Sequence, residues 1–93
     1  MSLRRAARTD ANQPDIVKAL RKVGATVFVI GRPVDLLVGY RNKNWILEVK
    51  DPDQPAWDRK LTPFQTTFFQ EWQGQVDKVE TAEEAIKIIT EQT

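Results

Sequence analysis

The sequence has neither cysteine nor histidine. Without cysteine there is no disulfide framework, no thiolate nucleophile and no zinc–cysteine site. Without histidine there is no Ser-His-Asp triad, no HExxH metal site and no imidazole base. Any catalysis must then use carboxylates, lysine, hydroxyls or a hard, oxygen-bound metal. Long apolar runs are also lacking; none approaches the roughly 18 residues of a membrane span. The opening Met1-Ser2-Leu3-Arg4-Arg5 is basic, but no apolar stretch follows it, so it does not read as a secretory leader. The expectation is a soluble, intracellular, cytoplasmic chain with no membrane partner.

What is present suits one globular domain. The chain has 93 residues, 41% hydrophobic and 29% charged, within the usual range for a single folded unit. A net charge of +1 hides a split. Residues 1–60 carry 12 Lys/Arg against 7 Asp/Glu, and residues 61–93 carry 2 against 6. Such asymmetry fits a polyanionic partner, and it also arises by chance in a short chain. Residues 1–9, with Arg4, Arg5 and Arg8, read as a flexible basic arm, and residues 10–93 as the domain.

A first helix is expected to start near Asp10–Asn12. Asn12 would cap it, with Pro14 in the first turn and Gly24 after the last. Ile16, Val17, Ala19, Leu20 and Val23 fall at helical spacing. Thr26–Ile30, Val34–Tyr40 and Asn44–Lys50 read as strands, the last two joined by a tight hairpin. Residues 51–60 form a loop with Pro52 and Pro55. Thr62 and Pro63 open a second helix ending at Gly74. Its stripe of Phe64, Phe68, Phe69 and Trp72 reads as core, or alternatively as a dimer interface. Gln75–Val79 allows a fourth strand, and the capping box Thr81-Ala82-Glu83-Glu84 opens a last helix. The order αβββαβα implies an α/β or α+β mixed sheet: a three-stranded meander with a fourth strand added in parallel.

The hairpin carries the chemistry. Glu48 and Lys50 alternate onto one face of their strand. With a loop of two residues (Asn42-Lys43) or four (Arg41 to Asn44), paired numbers sum to 85. Asp35 then faces Lys50, and Asp35 and Glu48 are diagonal neighbours about 7–8 Å apart. A three-residue loop or a bulge would change the parity. Two carboxylates at that spacing suit Mg²⁺ or Mn²⁺ beside a substrate phosphate. They also suit a plain salt-bridged patch with Lys50. The apolar strands around them make unpaired polar groups expensive there.

Pro33-Val34-Asp35, followed by Glu48-Val49-Lys50, resembles the PD-(D/E)XK nuclease pattern. The strings Asp10-Ala11-Asn12-Gln13, Val34-Asp35-Leu36-Leu37-Val38-Gly39, Leu47-Glu48-Val49-Lys50-Asp51 and Leu61-Thr62-Pro63-Phe64-Gln65 are similar to its virus-type replication–repair (VRR-NUC) branch, close to Holliday-junction resolvases. The likeness spans roughly residues 5–90. It implies a restriction-endonuclease-like αβββαβ core with a C-terminal helix. It also implies an Mg²⁺- or Mn²⁺-dependent endonuclease acting on DNA, on branched or flapped substrates in repair, recombination or phage replication. Asp35 and Glu48 would be metal ligands with the Val49 carbonyl as a third. Lys50 would be the catalytic lysine, and Gln65 would orient the lysine or the water. Relatives carry an acidic residue on the first helix; here Gln13 stands at the nearest position, with Asp10 as an alternative.

Arg32, Arg41, Lys43, Arg59 and Lys60 could rim the site and hold phosphates, and Trp57 could stack on a base or pack on a second subunit. A symmetric homodimer would set two sites on two strands. Two other readings stay open: a non-catalytic nucleic-acid-binding module on the same fold, and a protein-interaction domain using the acidic C-terminal part.

Overall fold

The computed structural model describes residues 10–91; the expected basic arm at 1–9 lies outside them, as do residues 92 and 93. The elements follow the expected order. Helix α1 (Gln13–Lys22) leads to β1 (Thr26–Val29), β2 (Leu36–Tyr40) and β3 (Lys43–Val49). A 3-10 turn (Ala56–Asp58) precedes α2 (Pro63–Glu71), β4 (Asp77–Val79) and α3 (Ala82–Glu91). The sheet order is β1-β2-β3-β4, antiparallel except for the parallel β3–β4 pair. The chain is therefore a mixed α/β fold of one sheet and three α-helices among the described residues.

One face of the sheet makes the core. Val27, Leu36, Val38, Trp45, Leu47, Val49 and Val79 point into it and meet Ile16, Val17 and Leu20 of α1 and Ala85 and Ile89 of α3. Each fully buried aliphatic side chain contributes roughly 1.5–3 kcal/mol of transfer free energy. Both helices bury the stripe that their periodicity indicates, and Gly24 takes the positive φ (103°) expected after α1.

Three expectations are corrected. The hairpin loop is Arg41-Asn42, not Asn42-Lys43 or the four-residue loop, and Tyr40 pairs with Lys43. Both loop residues have positive φ (52° and 68°), the backbone of a type I′ turn, which matches the strand twist. Paired numbers thus sum to 83. The slip is two residues, so every side chain keeps its face. The aromatic helix is not core either: α2 contributes no buried residue, because α1 and α3 already fill the apolar face. Phe64 and Trp72 are half exposed; within α2 the Phe68 and Trp72 rings stack at 5.2 Å.

The third correction concerns Asn12, which makes no side-chain cap. Its amide instead donates to the Lys50 carbonyl (3.0 Å) and the Glu80 carbonyl (2.9 Å). It ties the start of α1 to the ends of β3 and β4, beside the residues that matter most. Removing it strands two acceptors. Asn12→Ala is expected to cost about 1–3 kcal/mol, read as a lower urea midpoint at unchanged slope. Asn12→Asp, which cannot donate, should not restore it.

Candidate active site

The site forms where β2 gives out. The ladder ends at Leu36 and Leu47, and continuing the register sets Asp35 level with Glu48. Directly opposed residues lie closer than the expected diagonal pair. The Val49 N–H, left without a strand partner on that side, donates to Asp35 Oδ2 at 2.9 Å. On its other edge β3 continues, with the Lys50 N–H donating to the Val79 carbonyl at 2.9 Å.

Glu48 is only 3% exposed. Its Oε2 accepts from Gln65 Nε2 at 2.7 Å and lies 3.6 Å from Lys50 Nζ. Its Oε1 is buried with no hydrogen-bond partner. Lys50 Nζ donates to Gln65 Oε1 at 3.0 Å. That same Oε1 accepts from the Thr62 N–H (2.9 Å), while the Gln65 N–H donates to Thr62 Oγ1 (3.2 Å). Gln65 is thus the N3 residue of a capping box that starts α2. Thr62-Pro63 was legible as a helix start; that the box amide also joins Glu48 to Lys50 was not, because the contacts span 17 and 15 residues.

Burial sets the electrostatics. Desolvation raises the Asp35 carboxyl above its usual range, with the Val49 N–H, a hydrogen bond from the Glu48 carboxyl and the Lys50 charge pulling the other way. Desolvation, followed by the Asp35 charge, pushes Glu48 up to about 7. At neutral pH the pair therefore holds back part of a proton. A hard cation fits the same place: the donors are all oxygen, and Glu48 Oε1 is an inward-facing acceptor without a donor. Asp35 and Glu48 would hold it, with the Val49 carbonyl leaving the strand on the Asp35 side. Among the described residues no group of three or more Asp, Glu, His or Cys side chains gathers at one point, so waters and a substrate oxygen would complete the shell.

The pair opens into a cleft of about 820 Å³. Gln13, buried at the start of α1, and Asp10 line it, as do Arg32, Lys60 and Trp57. The Arg32 guanidinium sits 4.9 Å above the Phe64 ring and builds one wall. The other basic residues expected at the rim are elsewhere. Arg59 turns to the Pro52 carbonyl (3.0 Å). Arg41 and Lys43 occupy the hairpin tip at the far end of the strands, around a separate hollow. The hairpin tip is near Asp35 and Glu48 in sequence, yet the strands carry it away from the site.

Because burial holds Glu48 near 7 against 4.5 when free, the folded metal-free protein binds more protons than the unfolded chain between those values. Its contribution is therefore full below pH 4.5 and lost as pH rises through 7. In EDTA, unfolding free energy is expected to fall by on the order of 3 kcal/mol between pH 5 and 8. Glu48→Gln should flatten that slope in urea melts taken across the range. No family model, no curated protein and no solved structure matches this chain.

Proposed function

We propose that this chain is a metal-dependent endonuclease that hydrolyses DNA phosphodiester bonds. The observation that carries the reading is buried Glu48 beside half-buried Asp35, joined through Gln65 to Lys50 and open to a cleft lined by Arg32 and Lys60 together with Asp10 and Asp58.

Mg²⁺ or Mn²⁺, when bound, would supply Lewis-acid activation of water and neutralise charge on the phosphate. The chain's own residues do the rest. Asp35 and Glu48 present the oxygen ligands. Lys50, directed by Gln65 Oε1 and close to Glu48, donates to the attacking water or to a phosphate oxygen as charge develops. Arg32 and Lys60 hold flanking phosphates on the cleft walls. Gln13 takes the helix position where the resembled family carries an acid, which favours one ion over two. The reading extends to a symmetric dimer, which would set two sites on two strands, acting on branched DNA in repair, recombination or phage replication in the cytoplasm.

The test is nicking of supercoiled, linear and four-way-junction DNA with Mg²⁺ or Mn²⁺. Wild type should cut, and Lys50→Ala should cut about 10²–10⁴-fold more slowly. Glu48→Gln should lose Mn²⁺ binding by calorimetry. Equal cutting by wild type and Lys50→Ala, or none by either, overturns the reading. Tight DNA binding without metal and no cutting with it would instead support the non-catalytic module.

A further inference from the structure

We infer that the free edge of β1 pairs with β1 of a second copy of this chain, antiparallel about a two-fold axis at Phe28, joining two four-stranded sheets into one. Strand β1 lies at one edge of the sheet, with β2 as its strand neighbour. The hydrogen-bonding phase of that pair is fixed. The Ile30 N–H donates to the Asp35 carbonyl at 2.8 Å. Phe28 and Thr26, in the same phase, therefore turn their backbone groups toward β2 as well, and Val27 and Val29 turn theirs outward. The Arg21 guanidinium of α1 agrees with this phase, since it donates to the Val27 carbonyl at 2.9 Å. Among the described residues, the Val27 N–H, the Val29 N–H and the Val29 carbonyl have no partner.

Unpaired edge groups are a template for another strand. The two edges of this sheet are guarded differently. At the far edge β4 carries Asp77 and Lys78, charges of the kind that discourage pairing. Thr26 to Ile30 holds no charge and no proline. Its side chains are also bare on both faces. Phe28 is 64% exposed on the open face, beside Leu37, and Val29 is 56% exposed on the opposite face. A ligand resting on either face would cover one of the two. A strand added at the edge sets a neighbour beside both and takes up the unpaired backbone groups as well.

The order Val27-Phe28-Val29 reads the same in both directions, which selects a second copy as the occupant. With Phe28 opposite the partner's Phe28, Val27 stands opposite the partner's Val29. Both are outward-turned, so the two exchange a pair of backbone hydrogen bonds, and the two-fold axis repeats the pair. The Val27 carbonyl has a second lone pair for this beside the one Arg21 takes. Phe28 falls at a non-hydrogen-bonded position, where facing Cα atoms are about 4.5 Å apart and side chains are closest. Each ring then covers the other.

The axis runs perpendicular to the sheet, so both Asp35–Glu48 pairs open on the same side. From a strand spacing of about 4.8 Å and a rise of about 3.4 Å per residue, the two Asp35 positions lie on the order of 20 Å apart. One substrate can then meet both sites. The inference rests on the nuclease reading for that use alone; the contact itself stands on the backbone of β1.

The test is sedimentation equilibrium of the metal-free chain across micromolar concentrations, without DNA. Wild type should pass from monomer to dimer. Val29→Pro removes an outward N–H that the monomer does not use. It should weaken the dimer about tenfold or more, with the unfolding midpoint of the dilute monomer unchanged. Phe28→Glu and Phe28→Lys should each disperse the dimer by setting like charges directly opposite. An equimolar mixture of the two should sediment as a dimer again. Wild type that stays monomeric overturns the contact. So does a dimer that Val29→Pro and Phe28→Glu leave intact, which would put the interface on another surface such as α2. Failure of the mixture to pair overturns the axis at Phe28 and the proposal with it. Nicking measured in parallel separates the two readings. Nicking by a wild type that remains monomeric removes the contact alone. A dimer dispersed by these variants, with no nicking by wild type, keeps the contact and removes the nuclease.

Discussion

A buried glutamate and a half-buried aspartate side by side set the terms for one whole end of this molecule. Water stabilises a carboxylate strongly, and Glu48 has almost none around it. The Asp35 charge beside it adds to the cost. Three groups offset this: the Val49 N–H, the Lys50 ammonium and the Gln65 amide. Two come from the end of β3 and one from α2, so β3 and α2 must both be in place before the pair is tolerable. A buried like-charged pair is poor evidence for stability and better evidence for a site.

The grouping of Asp35, Glu48 and Lys50 was legible because it depends only on parity. Any even loop leaves the three on one face, and the slip from 85 to 83 changes neighbours without changing sides. Their closeness was not legible, because it required Arg41 to take a backbone conformation that its side chain does not favour. Helices α1 and α3 were readable from periodicity, since each has an apolar stripe and a sheet face to bury it. Periodicity also marked α2 but could not say what its aromatic stripe would meet. The core was already closed by two other helices, and the stripe stayed near the surface. Asn12 shows the same limit. As a helix-start residue it is ordinary; its true partners lie 38 and 68 residues away.

The sheet is therefore two different surfaces on four strands. One is a largely apolar layer against two helices. The other carries Glu48, Phe28 and Gly39 in succession, with the outer edge of β3 beside it. There the Gln75 amide exchanges hydrogen bonds with the Ile46 N–H and carbonyl (2.7 and 3.0 Å), extending the ladder beyond the short β4. Stability and chemistry are divided between the faces, so residues of the open face can vary without disturbing the packing beneath.

Gln65 joins two accounts that are usually separate. One amide satisfies an orphan N–H at the start of a helix and spans the acid and the ammonium of the site. Helix α2 buries nothing of its own, so this amide at its start and the Trp72 Nε1 bond to the Gln75 carbonyl (3.0 Å) after its end are its firm anchors. Linkage is reciprocal: whatever orders the carboxylates must order the helix to the same free-energy extent, and whatever frays the first turn must loosen the site. Occupancy of the cleft is thereby written into the backbone of a surface helix, where amide hydrogen exchange along residues 63–71 would register it without any view of the site itself.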